Sequence, residues 1–246
     1  MIKYYLTLLM TIPAMVAAAD RVGDFSLLDQ DGFHHGMSWY DDHKAIVFLV
    51  QENDNQAVAG AMGAYSDLKL KYEDSGIEFM MINPMGRYNR EAVQSQVAEY
   101  GVEIPVLMDD ARIISESLGI ERAGEVLLFD PRRFTVEYRG PVESADKAIR
   151  QMLAGEEILP SATATTGPII SYPMKESPSY VSDVAPILAE QCATCHREGG
   201  VAPFAMDSHT MVQGWSPMIR EVLLTRRMPP GPVSYTHLTL PTNREV

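Results

Sequence analysis

The chain has 246 residues, 46% of them hydrophobic and 22% charged, and its 33 acidic against 20 basic side chains give a formal charge of −13. That length allows one or two domains with a sizeable core, and the acidic balance argues against nucleic acid or anionic membrane as a partner. The acid excess lies in residues 20–155, whereas residues 181–232 are close to neutral.

Lys3 precedes a mostly apolar run over residues 4–16 that ends in Ala17-Ala18-Ala19, an A-x-A pattern. This reads as a signal peptide over residues 1–19 with cleavage before Asp20, because the run is shorter than the ~20 residues a spanning helix needs. The expected location is the periplasm of a Gram-negative bacterium, or outside the cell, with no membrane span in the mature chain.

Ala45–Val50 (AIVFLV) is a continuous apolar run of the length of a buried parallel strand. Gln56–Tyr72 predicts a helix with Val58, Met62, Tyr65 and Leu68 on one face, and residues 77–82 predict the next strand. Arg90–Tyr100 predicts a helix closed by Gly101. Val106–Met108 is a short strand, and residues 111–118 a short helix before Gly119. Residues 125–129 and 135–139 predict a hairpin around Asp130-Pro131, and residues 144–153 a closing helix. Alternating strands and helices define an α/β sandwich over residues 20–154. Glu52 and Asp54 read as a solvated turn, and His34-His35, beside Asp31-Gly32, as a surface hairpin connection rather than a metal site.

Residues 155–180 lose this pattern. Ser161-Ala162-Thr163-Ala164-Thr165-Thr166-Gly167, then Pro168, Pro173 and Pro178, predict an extended linker. A second unit over residues 181–231 follows. Ser182 is expected to cap a helix that tolerates Pro186 in its first turn, and Ser216-Pro217 to cap and open another that stops before Pro229-Pro230.

Both cysteines of the chain fall in Cys192-Ala193-Thr194-Cys195-His196. A C-x-x-C-H run reads as a c-type haem attachment site. Two thiols three residues apart can each form a thioether with a haem vinyl group, and the adjacent imidazole is then the proximal iron ligand. The same residues admit a dithiol redox centre, or zinc with further ligands borrowed from elsewhere in the chain.

Residues 20–154 resemble the thioredoxin superfamily in its redoxin (AhpC/TSA-type) branch. The resemblance is carried by Val22-Gly23-Asp24-Phe25-Ser26-Leu27, Asp29-Gln30-Asp31-Gly32, the AIVFLV strand and Pro105-Val106-Leu107-Met108-Asp109. It implies a thioredoxin-like fold, with a reactive cysteine after the first buried strand and a cis-proline before a later one. Here Asn53 stands roughly at the nucleophile and Gly124 at the proline. Thiol peroxidase or disulfide chemistry is therefore not expected of this domain, and docking of a partner is an alternative role for it.

Residues 181–231 resemble a small all-α monohaem cytochrome c, through Cys192, Cys195, His196, the Gly199-Gly200 turn and Met228-Pro229. The resemblance implies one covalent haem c with His196 and Met228 as axial ligands. Met206, Met211, Met218 and His209 are the alternatives to Met228. Pro203 and Phe204 are expected to pack on the haem, with a carbonyl of the Pro203 region on the second nitrogen of His196. Trp215 reads as core, or as a contact to a haem propionate.

The runs CATCHREGGVAPF (residues 192–204) and WSPMIREVLLTRRMPP (residues 215–230) are similar to a haem unit of larger bacterial secreted proteins. In those, a redoxin-like domain and this segment precede a copper type II, ascorbate-dependent-monooxygenase-like region. That similarity implies copper only in a missing C-terminal part, which would join a redox partner protein as candidate electron acceptor. Gly231 stands where those proteins usually continue with Trp, and residues 232–246 resemble translated sequencing adapter, so His237 is not counted as a ligand. The expected function is electron transfer by a fragment of a larger oxidoreductase, with a thiol–disulfide enzyme using Cys192 and Cys195 as the rival.

Overall fold

The structure is a computed structural model that describes residues 20–84, 90–101, 103–172 and 177–229. The expected signal peptide and the tail from residue 232 lie outside the described residues.

Eight strands form one sheet: β1 (Asp20–Arg21), β2 (Ser26–Asp29), β3 (His34–Gly36), β4 (Ala45–Val50), β5 (Ile77–Asn83), β6 (Val106–Met108), β7 (Val126–Asp130) and β8 (Thr135–Gly140). Their order is β1-β8-β7-β4-β5-β6-β2-β3. Strands β4, β5 and β6 are mutually parallel, while β7 runs antiparallel to β4 and β2 antiparallel to β6. The helices of this body are α1 (Gln56–Tyr72), α2 (Arg90–Tyr100), α3 (Ile113–Ser117) and α4 (Val142–Ala154).

Strand β4 is apolar throughout because both of its faces are covered. Ala45, Val47 and Leu49 point into one core with Tyr65 of α1, Val93 of α2 and Ile149 of α4. Ile46, Phe48 and Val50 point into the other, with Phe25, Met37 and Ile114 of α3. The period of two along the strand thus divides a uniformly apolar run between two layers. Buried Tyr65 pins α1 across two strands, its hydroxyl lying 2.8 Å from the Val47 carbonyl and 2.6 Å from that of Met80.

The hairpin at the start of the sandwich differs from expectation. His34 and His35 belong to β3, paired with Leu28 and Leu27 of β2, and both are half-buried rather than in a surface turn. Residues 155–172 are extended as expected, but hydrogen bonds tie them to the sandwich at Arg139, Ala123 and Glu121.

Beyond residue 177, a single π-helical turn (Tyr180–Val184) leads into α5 (Ala185–Gln191), and α6 spans His209–Leu224. Ser179, not Ser182, makes the first cap, its hydroxyl accepting from the Ser182 N–H at 3.4 Å. The second cap also lies further upstream. Ser208 opens α6, and Pro217 is inside the helix rather than at its start. Proline lacks an N–H and leaves the carbonyl four residues back, that of Gln213, without its helical donor. The Ser216 hydroxyl donates to that carbonyl at 2.8 Å, which is how the helix continues through the proline.

Candidate functional site

The position expected for a reactive thiol lies between the end of β4 and α1. Gln51 is fully buried there. Its side-chain amide donates to Asn53 Oδ1 at 3.0 Å and to Gln96 Oε1 of α2 at 2.7 Å, while Asn83, at the end of β5, donates to Gln51 Oε1. Asn55 caps α1 by accepting from the Ala57 N–H at 2.8 Å. Glu52 is taken up locally, accepting from the Asn55 amide. A cluster of carboxamides therefore joins β4, β5 and α2 where a thiolate would sit. Carboxamides neither ionise near neutral pH nor act as nucleophiles, so the cluster holds the loop rather than reacting. Opposite it, the N–H of Gly124 donates to the Val50 carbonyl at 2.8 Å, and the residue has φ +76°. A Cβ there would meet the Ala57 backbone at 3.3 Å, so glycine is needed for both its conformation and the close approach.

The second site is built on the turn that ends α5. Cys192 N–H donates to the Leu188 carbonyl at 3.0 Å, and His196 N–H to that of Cys192 at 2.9 Å, so the motif winds as one further turn. The chain then folds back on itself. Ala202 N–H donates to the Cys195 carbonyl at 3.2 Å and Met206 N–H to that of His196 at 2.9 Å. The return brings the Phe204 carbonyl to 3.0 Å from His196 Nδ1. The acceptor is thus one residue beyond Pro203. The Phe204 ring lies 4.8 Å from the imidazole and stacks on Trp215 of α6 at 4.6 Å and 14°. This stack had no signal in the sequence, because Phe204 and Trp215 share no periodic element.

Cys192 is a half-buried free thiol and Cys195 an exposed one. Burial pushes the Cys192 thiol up from its ordinary value. Among the described residues, no group of three or more His, Cys, Asp or Glu side chains is arranged to hold a metal ion, so the zinc reading finds no ligand set there.

Met228 lies elsewhere. It lines a crevice of about 400 Å³ between the end of α6 and the sandwich, with Leu27, Asp109, Ile113, Leu223 and Arg226. Arg226 Nε donates to the Ser26 carbonyl across this junction at 3.3 Å. His209 lies against Tyr180, ring centres 4.4 Å apart and planes tilted by 58°. The structure brings Cys192, Cys195, His196, Phe204 and Trp215 into one neighbourhood and places Met228 against β2 and α3.

The donor set fits a covalently held haem. Two free thiols flank a turn, and an imidazole has one nitrogen engaged and the other available. The surroundings fit as well: neither α5 nor α6 buries a single residue, and Val181, Ile187, Val201, Met211, Trp215, Met218 and Leu223 are all exposed. An apolar segment without its own core matches a large apolar group that covers it.

Fold and site together define a thioredoxin-like α/β protein with an amide cluster at the thiol position. Residues 18–145 match the AhpC/TSA family, and the chain belongs to it. A hypothetical protein from Sinorhizobium meliloti shares the fold with a TM-score of 0.57 at 19% identity, over 65% of this chain and 97% of its own. An uncharacterized conserved protein from Geobacillus kaustophilus does so with a TM-score of 0.56 at 19% identity, over 66% of this chain and 96% of its own. No curated protein matches the sequence. Among the described residues, no helix is long and apolar enough to cross a membrane.

Proposed function

We propose that this chain is an electron-transfer haem protein in which a redoxin body without a thiol carries one covalent haem c at Cys192 and Cys195. The observation that supports this best is the bond from His196 Nδ1 to the Phe204 carbonyl, one turn from two free thiols. A carbonyl can only accept, so Nδ1 holds a proton, and in the neutral ring Nε2 then keeps the lone pair that a metal ligand needs. Haem, when bound, supplies a one-electron iron couple.

The chain's own residues then have separate tasks. Cys192 and Cys195 anchor the group, and Phe204, with Trp215 behind it, orients the imidazole. The exposed apolar side chains of α5 and α6 exclude water from the group. Met228 is the proposed sixth ligand and would have to leave its crevice against β2 and α3 to serve, with His209 as its rival. The electron acceptor is a redox partner protein or a copper-bearing region that continues the chain. Attachment chemistry of this kind places the protein in the periplasm or outside the cell. A thiol–disulfide role is the weaker reading, because a reactive cysteine needs its thiolate favoured and burial does the opposite at Cys192.

The test is the full chain produced with a c-type maturation system. A thioether-type haemochrome spectrum that disappears in Cys192→Ser and Cys195→Ser is expected. A haem-free product that reduces insulin, and still does so as His196→Ala, would establish the thiol enzyme instead.

A further inference from the structure

The segment from Ser161 to Tyr172 is joined to the sandwich as a strand is joined to a sheet edge. Arg139 N–H donates to the Ser161 carbonyl at 3.0 Å and Thr163 N–H to the Arg139 carbonyl at 2.9 Å, which lays the segment parallel to the end of β8. Further on, Ala123 N–H donates to the Pro168 carbonyl at 3.1 Å and Ile170 N–H to that of Glu121 at 2.8 Å, with Arg122 and Ile169 paired antiparallel. The Arg122 guanidinium donates to the Gly167 carbonyl at 2.7 Å, and the Tyr172 hydroxyl to that of Ile120 at 2.8 Å.

Burial along the segment alternates: Thr163 and Thr165 are half-buried, Gly167 is buried, and Ile170 enters the core beside Leu118 and Ile120. At Gly167 the two backbones meet. A Cβ there would stand 1.8 Å from the Ala123 carbonyl oxygen and 3.7 Å from Cβ of Ala57, in the first turn of α1. The strap thus crosses the end of the sheet that holds Gly124 and the loop of Asn53.

We propose that residues 161–172 are a built-in peptide ligand, and that the backbone edge at residues 120–123 is a docking edge for extended peptides which this strap occupies in cis. The geometry specifies the ligand: glycine at the pinch against Ala123, a carbonyl facing Arg122, and an aliphatic side chain three residues on. These are the features of Gly167-Pro168-Ile169-Ile170. Main-chain bonds supply the binding and the alternate side chains the selectivity, as in strand addition between separate chains. A free peptide competes with a segment tethered at an effective concentration of about millimolar, so the edge is closed in the resting protein. This inference concerns the redoxin body alone and stands or falls independently of haem at Cys192 and Cys195.

The test uses the full chain, hydrogen exchange at the Ala123 and Ile170 amides, and a fluorescent synthetic peptide of residues 161–172. In the unaltered chain both amides exchange slowly and the peptide does not bind. Gly167→Val lifts the strap, speeds both amides by about 100-fold or more, and lets the peptide bind. The proposal is overturned if folded Gly167→Val keeps both amides protected, if its opened edge does not take the peptide, or if the unaltered chain binds the peptide equally. Should Gly167→Val not fold, Arg122→Ala decides: roughly tenfold faster exchange at both amides supports the proposal, and unchanged exchange overturns it.

Discussion

Nε2 of His35 donates to a carboxylate oxygen of Asp29 at 2.9 Å, and Nδ1 of the same ring lies 2.8 Å from the Tyr40 hydroxyl. The carboxylate can only accept, which puts a proton on Nε2, and in the neutral ring Nδ1 is then the acceptor for the hydroxyl. His35, half of a pair that looks like a surface turn, thus clasps β3 to β2 and to the 3-10 turn at Met37–Tyr40. Burial, followed by the charges of Glu78 and Asp29, pushes the Tyr40 hydroxyl up to about 12, so it remains a donor at any ordinary pH.

The clasp carries a pH dependence. Burial raises the Asp29 carboxyl, but His35 and the N–H groups of Phe33 and Asp31 outweigh it and hold the group below its ordinary value. A carboxyl lowered by folding stabilises the protein above its unfolded pKa, and that contribution is lost as pH falls through the folded value. Asp29→Asn is expected to cost about 1–2 kcal/mol at pH 7. It should also flatten the loss of stability below about pH 4. Urea unfolding at pH 7 and pH 3 measures both effects, and an equal cost at the two pH values would refute the assignment.

Gln51 makes three side-chain contacts in a fully buried position, to Asn53, Gln96 and Asn83. Gln51→Ala removes one bond from each of the three, and a loss of about 2–4 kcal/mol is expected from the unmade bonds and the cavity. A shift in the urea midpoint too small for 1 kcal/mol would show that the cluster is solvated.

Asn53→Cys tests whether the lost chemistry is a matter of one atom. Among the described residues the partners of Asn53 are carboxamides, with no cationic group among them to favour a thiolate. Thiol peroxidase activity of this variant is expected to stay at background, measured by peroxide consumption with a dithiol reductant. Turnover well above background would show that the site lacks only its sulfur.

Ser216 and Pro217 form a compensating pair in α6. Ser216→Ala alone is expected to cost about 0.5–1.5 kcal/mol, because Gln213 loses the donor that replaces its helical partner. In a Pro217→Ala background the backbone N–H returns and the same change should be close to neutral. A double-mutant cycle on thermal unfolding reads the difference. Equal costs in both backgrounds would mean the hydroxyl has no compensating role.

Strand β4, helices α1 and α2, and strand β6 have the bounds read from the sequence. Each carries a strong local signal, whether an unbroken apolar run, an apolar face or a terminal glycine. The β2–β3 hairpin lacked one: His34-His35-Gly36 has no apolar alternation, and its place depends on Asp29 and Tyr40. The start of α6 was obscured because Ser216-Pro217 has the form of a helix opening, and only the contact to Gln213 shows it to be an interior repair. The C-x-x-C-H motif was legible because its spacing is its chemistry, whereas the Phe204–Trp215 stack behind His196 joins residues of a loop and a distant helix.

By itself, the sequence determined the α/β order of residues 20–154, the absence of a thiol at position 53 and the adjacency of both cysteines to His196. These follow from residue type and local period, which depend on near neighbours in the chain. Tertiary structure alone decided what replaces the thiol, which carbonyl holds His196, and where residues 155–172 go. A polar, proline-flanked segment such as Ser161–Gly167 has no intrinsic preference strong enough to announce a partner. Its course is settled by main-chain bonds to Arg139, Ala123 and Glu121, and by the missing side chain at Gly167 that lets two backbones touch.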